Sequence, residues 1–183
     1  MVRLPVPRTG KWASHMHDEV IGSSGLPVIR GRAAHAIFCD DLRHEDSGKL
    51  LIIGMYGDEM GVPAFPLQLP VLTILVTAST PADEPFRSLE VKVYFGEEQI
   101  ASRVAPPETI AQLSAASAES VTPLMAPSPR GGHVANRWRV NVQLTPFLVS
   151  RPGVLRARVI TESEEIPAGG LRIRQLEVSP SHG

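Results

Sequence analysis

The sequence predicts an all-β protein, an antiparallel β-sandwich of immunoglobulin-like or C2-like type with about eight strands. Two observations carry that reading. Apolar and polar residues alternate with period two over several short stretches, as strands buried on one face require. Turn-forming residues separate these stretches at close intervals, the pattern of a sandwich. The central stretch is Ala34–Tyr56, where Ala36-Ile37-Phe38-Cys39 and Leu50–Tyr56 flank a charged segment that includes Asp40, Asp41, Arg43, His44, Glu45 and Asp46. It reads as a β-hairpin at the centre of the sandwich, with a long polar connection closed by Ser47-Gly48.

In chain order, residues 1–32 read as an N-terminal arm. Pro5, Pro7, Gly10, Gly22, Gly25 and Pro27 break any period, Arg3, Arg8, Lys11, Arg30 and Arg32 give it a basic balance, and Trp12 is its one large anchor. The β domain spans 33–178. After the hairpin, Leu67–Thr77 is a long β-branched run, in which Pro70 lacks a ladder donor and delays strand pairing. Leu89, Val91, Val93 and Phe95 alternate with Glu90, Lys92 and Tyr94, and Gly96-Glu97-Glu98 turns the chain into a return strand carrying Ile100, Ser102 and Val104. Residues 106–133 form a crossover rich in Pro, Ala and Ser. Ile110 and Leu113 at i, i+3 predict one short helix within Thr109–Ser120, because long structureless loops are uncommon in compact domains. Trp138, Val140, Val142 and Leu144 alternate with Arg137, Arg139, Asn141 and Gln143. Leu155, Ala157 and Val159 alternate with Arg156 and Arg158, and a return strand follows with a parity break, expected as a bulge, at Gln175. Residues 179–183 are a tail.

Bulk properties bound the function. The chain has 183 residues, a formal net charge of -1, a pI of about 6.6 and one cysteine. Such a length buries enough surface to fold without a disulfide or a metal. Near-neutral charge gives no global attraction to nucleic acid or to an anionic membrane. No apolar run approaches the ~20 residues of a membrane helix. Arg3 and Arg8 have no apolar run behind them, so the start does not read as a signal peptide. A soluble, cytoplasmic protein is the expectation.

Phe38-Cys39-Asp40-Asp41, with Arg43, Glu45, Gly48-Lys49, Ile53-Gly54 and Tyr56, resembles a family of small bacterial proteins of unknown function marked by an FCDD-x-R-x-E…GK…IG-x-Y pattern. Phe65-Pro66-Leu67 and Leu69-Pro70 are similar to it as well. The resemblance is strong over some 40 residues. It implies a compact β-rich domain and transfers no catalytic residue.

Four residue groups invite a chemical reading. Asp40, Asp41 and Asp83 are weak candidates for a metal site, since hard cations want several carboxylates. The competing and favoured reading is that Asp40 and Asp41 accept loop N–H bonds and pair with Arg43 and Lys49. Cys39 ends a strand and precedes two carboxylates, which raise a thiol pKa, so it reads as a buried structural residue. The six histidines, His15 and His17 among them, show no HExxH or zinc spacing. Arg137 and Arg139, Arg156 and Arg158, and Arg172 and Arg174 are i, i+2 pairs on three strands. If those strands are neighbours, all six stack into one outward anion-binding patch. The plainer alternative is a solvated face balanced by Glu162, Glu164 and Glu177.

No nucleophile–base pair, phosphate loop or cofactor motif is present, so no catalytic residue and no cofactor are expected. The functional expectation is a non-enzymatic sandwich acting by contact with another protein or with itself. The alternatives are polyanion or nucleic-acid binding through the arginines, and calcium-dependent binding through acidic loops. No aromatic residues interleave with the arginines, so base stacking has no platform.

Overall fold

The computed structural model describes residues 31–81, 84–124 and 135–177. It is an all-β sandwich. The eight long strands are β1 (Ala33–His44), β2 (Leu50–Met55), β5 (Leu72–Pro81), β6 (Leu89–Phe95), β7 (Glu98–Val104), β8 (Ala135–Leu144), β10 (Gly153–Thr161) and β11 (Glu165–Gln175). Three short ones join them: β3 (Glu59–Val62), β4 (Leu67–Leu69) and β9 (Phe147–Val149). One sheet has the order β2-β1-β5-β8, the second β3-β11-β10-β6-β7, and β4 pairs with β9. All pairings are antiparallel except β3 with β11.

The core lies between the two larger sheets. Phe38, Leu72, Ile74, Val76, Trp138, Val140 and Val142 from the first meet Val91, Val93, Leu155, Val159, Leu171 and Ile173 from the second. Alternation of side chains puts these residues inward, and burial of so much aliphatic surface drives the two layers together. Strand β5 goes further. Its inward residues are buried, and so are Thr73, Leu75, Thr77 and Ser79 on its other face. Its near-continuous β-branched run is the sequence mark of a strand covered on both sides.

Several expectations are corrected. β1 does not end at Cys39; it continues through Asp40 and Asp41 to His44, and the turn shrinks to residues 45–49, closed by Glu45 N–H to the Lys49 carbonyl at 2.9 Å. Cross-strand partners Arg43↔Leu51 and His44↔Leu50 extend the ladder into what reads as a polar loop. β2 is an end strand of its sheet rather than a central one. The helix runs Pro107–Leu124, longer than its apolar spacing indicates, with Glu108 in the first turn where the helix dipole favours an acid. The break in β11 falls where Ala157 faces Gly169 and Arg158 faces Pro167, leaving Ala168 as the extra residue, and Leu176 is exposed. Gly169, at a φ of 136°, supplies a backbone conformation that L side chains avoid.

Arg32, at the boundary of the expected arm, is held firmly. Its guanidinium bonds the Glu162 carboxylate, the Ser163 hydroxyl at 2.9 Å and the Thr161 hydroxyl at 3.2 Å, and lies 5.0 Å from the centre of the Phe86 ring. Glu162 also accepts the Arg87 and Ser88 N–H groups at 3.1 and 3.2 Å. Burial acts to raise the Glu162 carboxyl, but the hydrogen bonds from Arg32 and these backbone donors outweigh it and hold it at about 2. The contact ties the entrance of β1 to the β10–β11 hairpin of the opposite sheet. Trp12, His15 and His17 lie outside the described residues.

The two-layer arrangement predicts unequal costs for two isoleucine truncations. Ile74 is fully buried in β5, and Ile74→Ala is expected to cost ~2–5 kcal/mol. Ile53 is half-buried on the edge strand, and Ile53→Ala is expected to cost less than half as much. Urea denaturation of the two variants measures the difference.

Candidate functional site

The feature that departs from a plain sandwich is the β1–β2 hairpin. Ladder register places Ile37 opposite Leu75 and Cys39 opposite Thr73. A straight β1 would carry His44 seven residues past Ile37, about 23 Å along the strand. Yet Leu42, His44, Gly48 and Leu50 line one recess together with Leu75, Arg139 and Asn141. The end of the hairpin therefore turns back over the outer face of its own sheet. Leu75, whose side chain points away from the core, is buried at this recess.

The bend sits at Asp40, Asp41 and Gly54. Between Cys39↔Met55 and Asp41↔Ile53 the β1–β2 ladder skips a step, where Asp40 meets Gly54. Gly54 has a φ of 64°, and a Cβ there would collide with the Asp40 carboxylate. Glycine is needed twice over, for its backbone conformation and for the space. The Asp40 carboxylate accepts the Tyr56 hydroxyl at 2.5 Å, while the Tyr56 N–H donates to the Phe38 carbonyl at 2.8 Å. Asp41 accepts the Leu42 N–H at 2.8 Å and the Arg43 Nε–H at 3.0 Å. Hydrogen bonding to Arg43, the largest influence, lowers the Asp41 pKa. Burial of the Tyr56 ring, together with its bond to Asp40, pushes the phenol up to about 12. Burial, then Asp40 and Asp41, pushes the Cys39 thiol up, away from nucleophilic character.

Both candidate aspartates are thus occupied by protein donors, as an Asp-rich bend needs. Asp83, the third, lies outside the described residues. Among the described residues no group of three or more His, Cys, Asp or Glu is placed to hold a metal ion.

The six arginines do not form one patch. Arg156, Arg158, Arg172 and Arg174 lie on β10 and β11 of the five-stranded sheet, whereas Arg137 and Arg139 lie on β8 of the four-stranded one. The sequence spacing shows the outward parity but not that β8 pairs with β5. The two groups also differ in company. Arg156 bonds the Gly96 carbonyl at 3.0 Å and sits 3.5 Å from Glu97; Arg158 pairs with Glu165 and covers the Tyr94 ring; Arg174 pairs with Glu59 at 2.6 Å. Hydrogen bonds to Glu165 and Glu59 raise the Arg158 and Arg174 pKa values. Three of these four arginines thus have a carboxylate within 4 Å, and Arg172 has none among the described residues. Among the described residues no carboxylate pairs with Arg137 or Arg139.

Sequence reading misses the recess. Its signal is the run Leu50-Leu51-Ile52-Ile53, apolar at both parities, which a strand with one dry face does not need. Leu50 meets the recess, while Leu51 is 46% and Met55 65% exposed on the free edge.

Two outcomes follow from the bend. Gly54→Ala is expected to cost ~1–3 kcal/mol in urea denaturation, through strain and the collision with Asp40. Because the Tyr56 phenol is raised in the folded state, its contribution to stability is complete below the ordinary tyrosine value of about 10 and is lost as pH rises through about 12. Near-ultraviolet absorbance is expected to show a late ionisation that Tyr56→Phe removes, and the variant should lose stability less steeply across that window.

The family comparison bears on this same framework. A model of a family of unknown function, DUF6941, matches residues 34–174. No curated protein matches the chain. The matched span starts in β1 and ends in β11, so it takes in the folded-back hairpin and both sheets. The chain belongs to DUF6941, a family of unknown function.

Proposed function

We infer that this domain works by contact with another protein, and that the contact surface is the free edge of β2. One observation carries the reading. The other edges of the two main sheets bear charges that discourage strand addition: Glu59 on β3, Glu98 and Arg103 on β7, Arg137 and Arg139 on β8. β2 is six residues without a charge or a proline, and it exposes Leu51 and Met55, two residues of the same parity. Unprotected edges of this kind are templates for an added strand. Binding of nucleic acid has weaker support, since four of the six arginines share their face with carboxylates.

A cytoplasmic setting in a bacterium fits this reading. Cys39 is the only cysteine and is buried, so no disulfide forms within the chain. Among the described residues no helix is long and apolar enough to cross a membrane.

Leu51→Lys combined with Met55→Lys tests the surface. These side chains are exposed, so stability is expected to change by less than about 1 kcal/mol. Retention of partner protein from lysate, quantified by mass spectrometry beside light scattering of the purified chain, should fall in the double variant. Identical retention and identical mass for parent and variant overturn the reading.

A further inference from the structure

We propose that the recess under the folded-back hairpin is a binding site for a small carboxylate with an apolar body, such as an aromatic or short branched-chain acid. The recess takes Leu50 from β2 but not the exposed Leu51 and Met55 of its edge, and the inference stands apart from that reading. The recess has a volume of about 140 Å³ and is lined by Leu42, Leu50 and Leu75 together with His44, Arg139 and Asn141. A cavity of ~150 Å³ is large enough to hold a benzene ring. The three leucines come from β1, β2 and β5 and give such a body an apolar bed.

The polar groups define the other end of the ligand. Arg139 presents a planar fork of donors that matches a carboxylate. It stands opposite Thr77, whose other neighbour in the ladder is His35. The paired stretches of β1, β5 and β8 put no Asp or Glu on this outer face. At the hairpin tip, Glu45 accepts the Ser47 hydroxyl at 3.1 Å. Among the described residues no carboxylate lies within 4 Å of the Arg139 guanidinium, as is true of Arg172 on the opposite sheet, whereas Arg156, Arg158 and Arg174 there each have one. An anionic group at the mouth supplies the missing charge, and an apolar group behind it displaces water from the leucines.

The experiment titrates the full chain with benzoate and with isovalerate, following backbone amide NMR shifts. Saturable binding of either acid is expected, with the largest shifts at residues 42–50, 75 and 139–141. Arg139→Gln should weaken it by about tenfold or more, the loss of a charge-assisted pair. Arg174→Gln removes the same charge from the other sheet and should leave binding unchanged. Acetate, which lacks the body, and benzyl alcohol, which lacks the charge, should each bind at least about tenfold more weakly than benzoate. Absence of saturable binding by both acids, equal weakening by the two arginine variants, or parity of acetate or benzyl alcohol with benzoate each overturns the proposal. Native-like amide spectra of both variants separate a lost site from a lost fold.

Discussion

Strand β5 has little water on either face, and the architecture follows from that constraint. Its inward side chains, Leu72, Ile74, Val76 and Ala78, lock the two sheets into one core. Its outward ones, Thr73, Leu75, Thr77 and Ser79, are buried as well. A two-layer sandwich supplies cover for only one side of any strand. The second cover comes from neighbouring strands and from the hairpin that turns back on the same sheet. Leu75, apolar and outward, is the residue for which this roof matters most, because exposed it would forfeit the gain from its burial.

The roof in turn depends on a short stretch of polar chemistry. Asp40 occupies the space that a side chain at position 54 would take, and Tyr56 fixes that carboxylate from two residue pairs along the ladder. Removing any one partner leaves the others without a reason for their geometry: a carboxylate short of a donor, a phenol short of an acceptor, or a glycine in a conformation nothing rewards. Acidic residues in such a place suggest metal binding when read as composition. Read as hydrogen-bond partners, they are the means by which a strand changes direction without leaving its amide groups unsatisfied.

Charge on the two outer faces is organised differently. On the five-stranded sheet, arginines and glutamates alternate in contact, and the Arg32–Glu162 pair joins that sheet to the start of β1. On the four-stranded sheet the hairpin tip and Arg139 of β8 share a recess with leucines. On the first face three of the four arginines of β10 and β11 are paired. The second presents both an uncompensated cation and apolar surface, and next to it runs the one edge of the two main sheets without a charged residue. The hairpin borders both the recess and that edge.

The sequence by itself determined the fold class, the eight long strands and the inward set of most of them, because period-two burial is a local property that each strand displays alone. It also marked Phe38–Tyr56 as unusual, through residues that prove to build the bend. Tertiary structure alone decided which strands are neighbours. Parity shows that six arginines face outward but not that β8 joins β5 while β10 joins β6, since pairing depends on contacts between residues far apart in the chain. The same holds for Asp40 and Asp41, whose spacing suits a turn loop equally well, and for Leu42 and Leu75, which share a recess only because the hairpin folds back. A one-dimensional pattern records what each residue prefers; the direction of a bend is set by the partner that fills its inside.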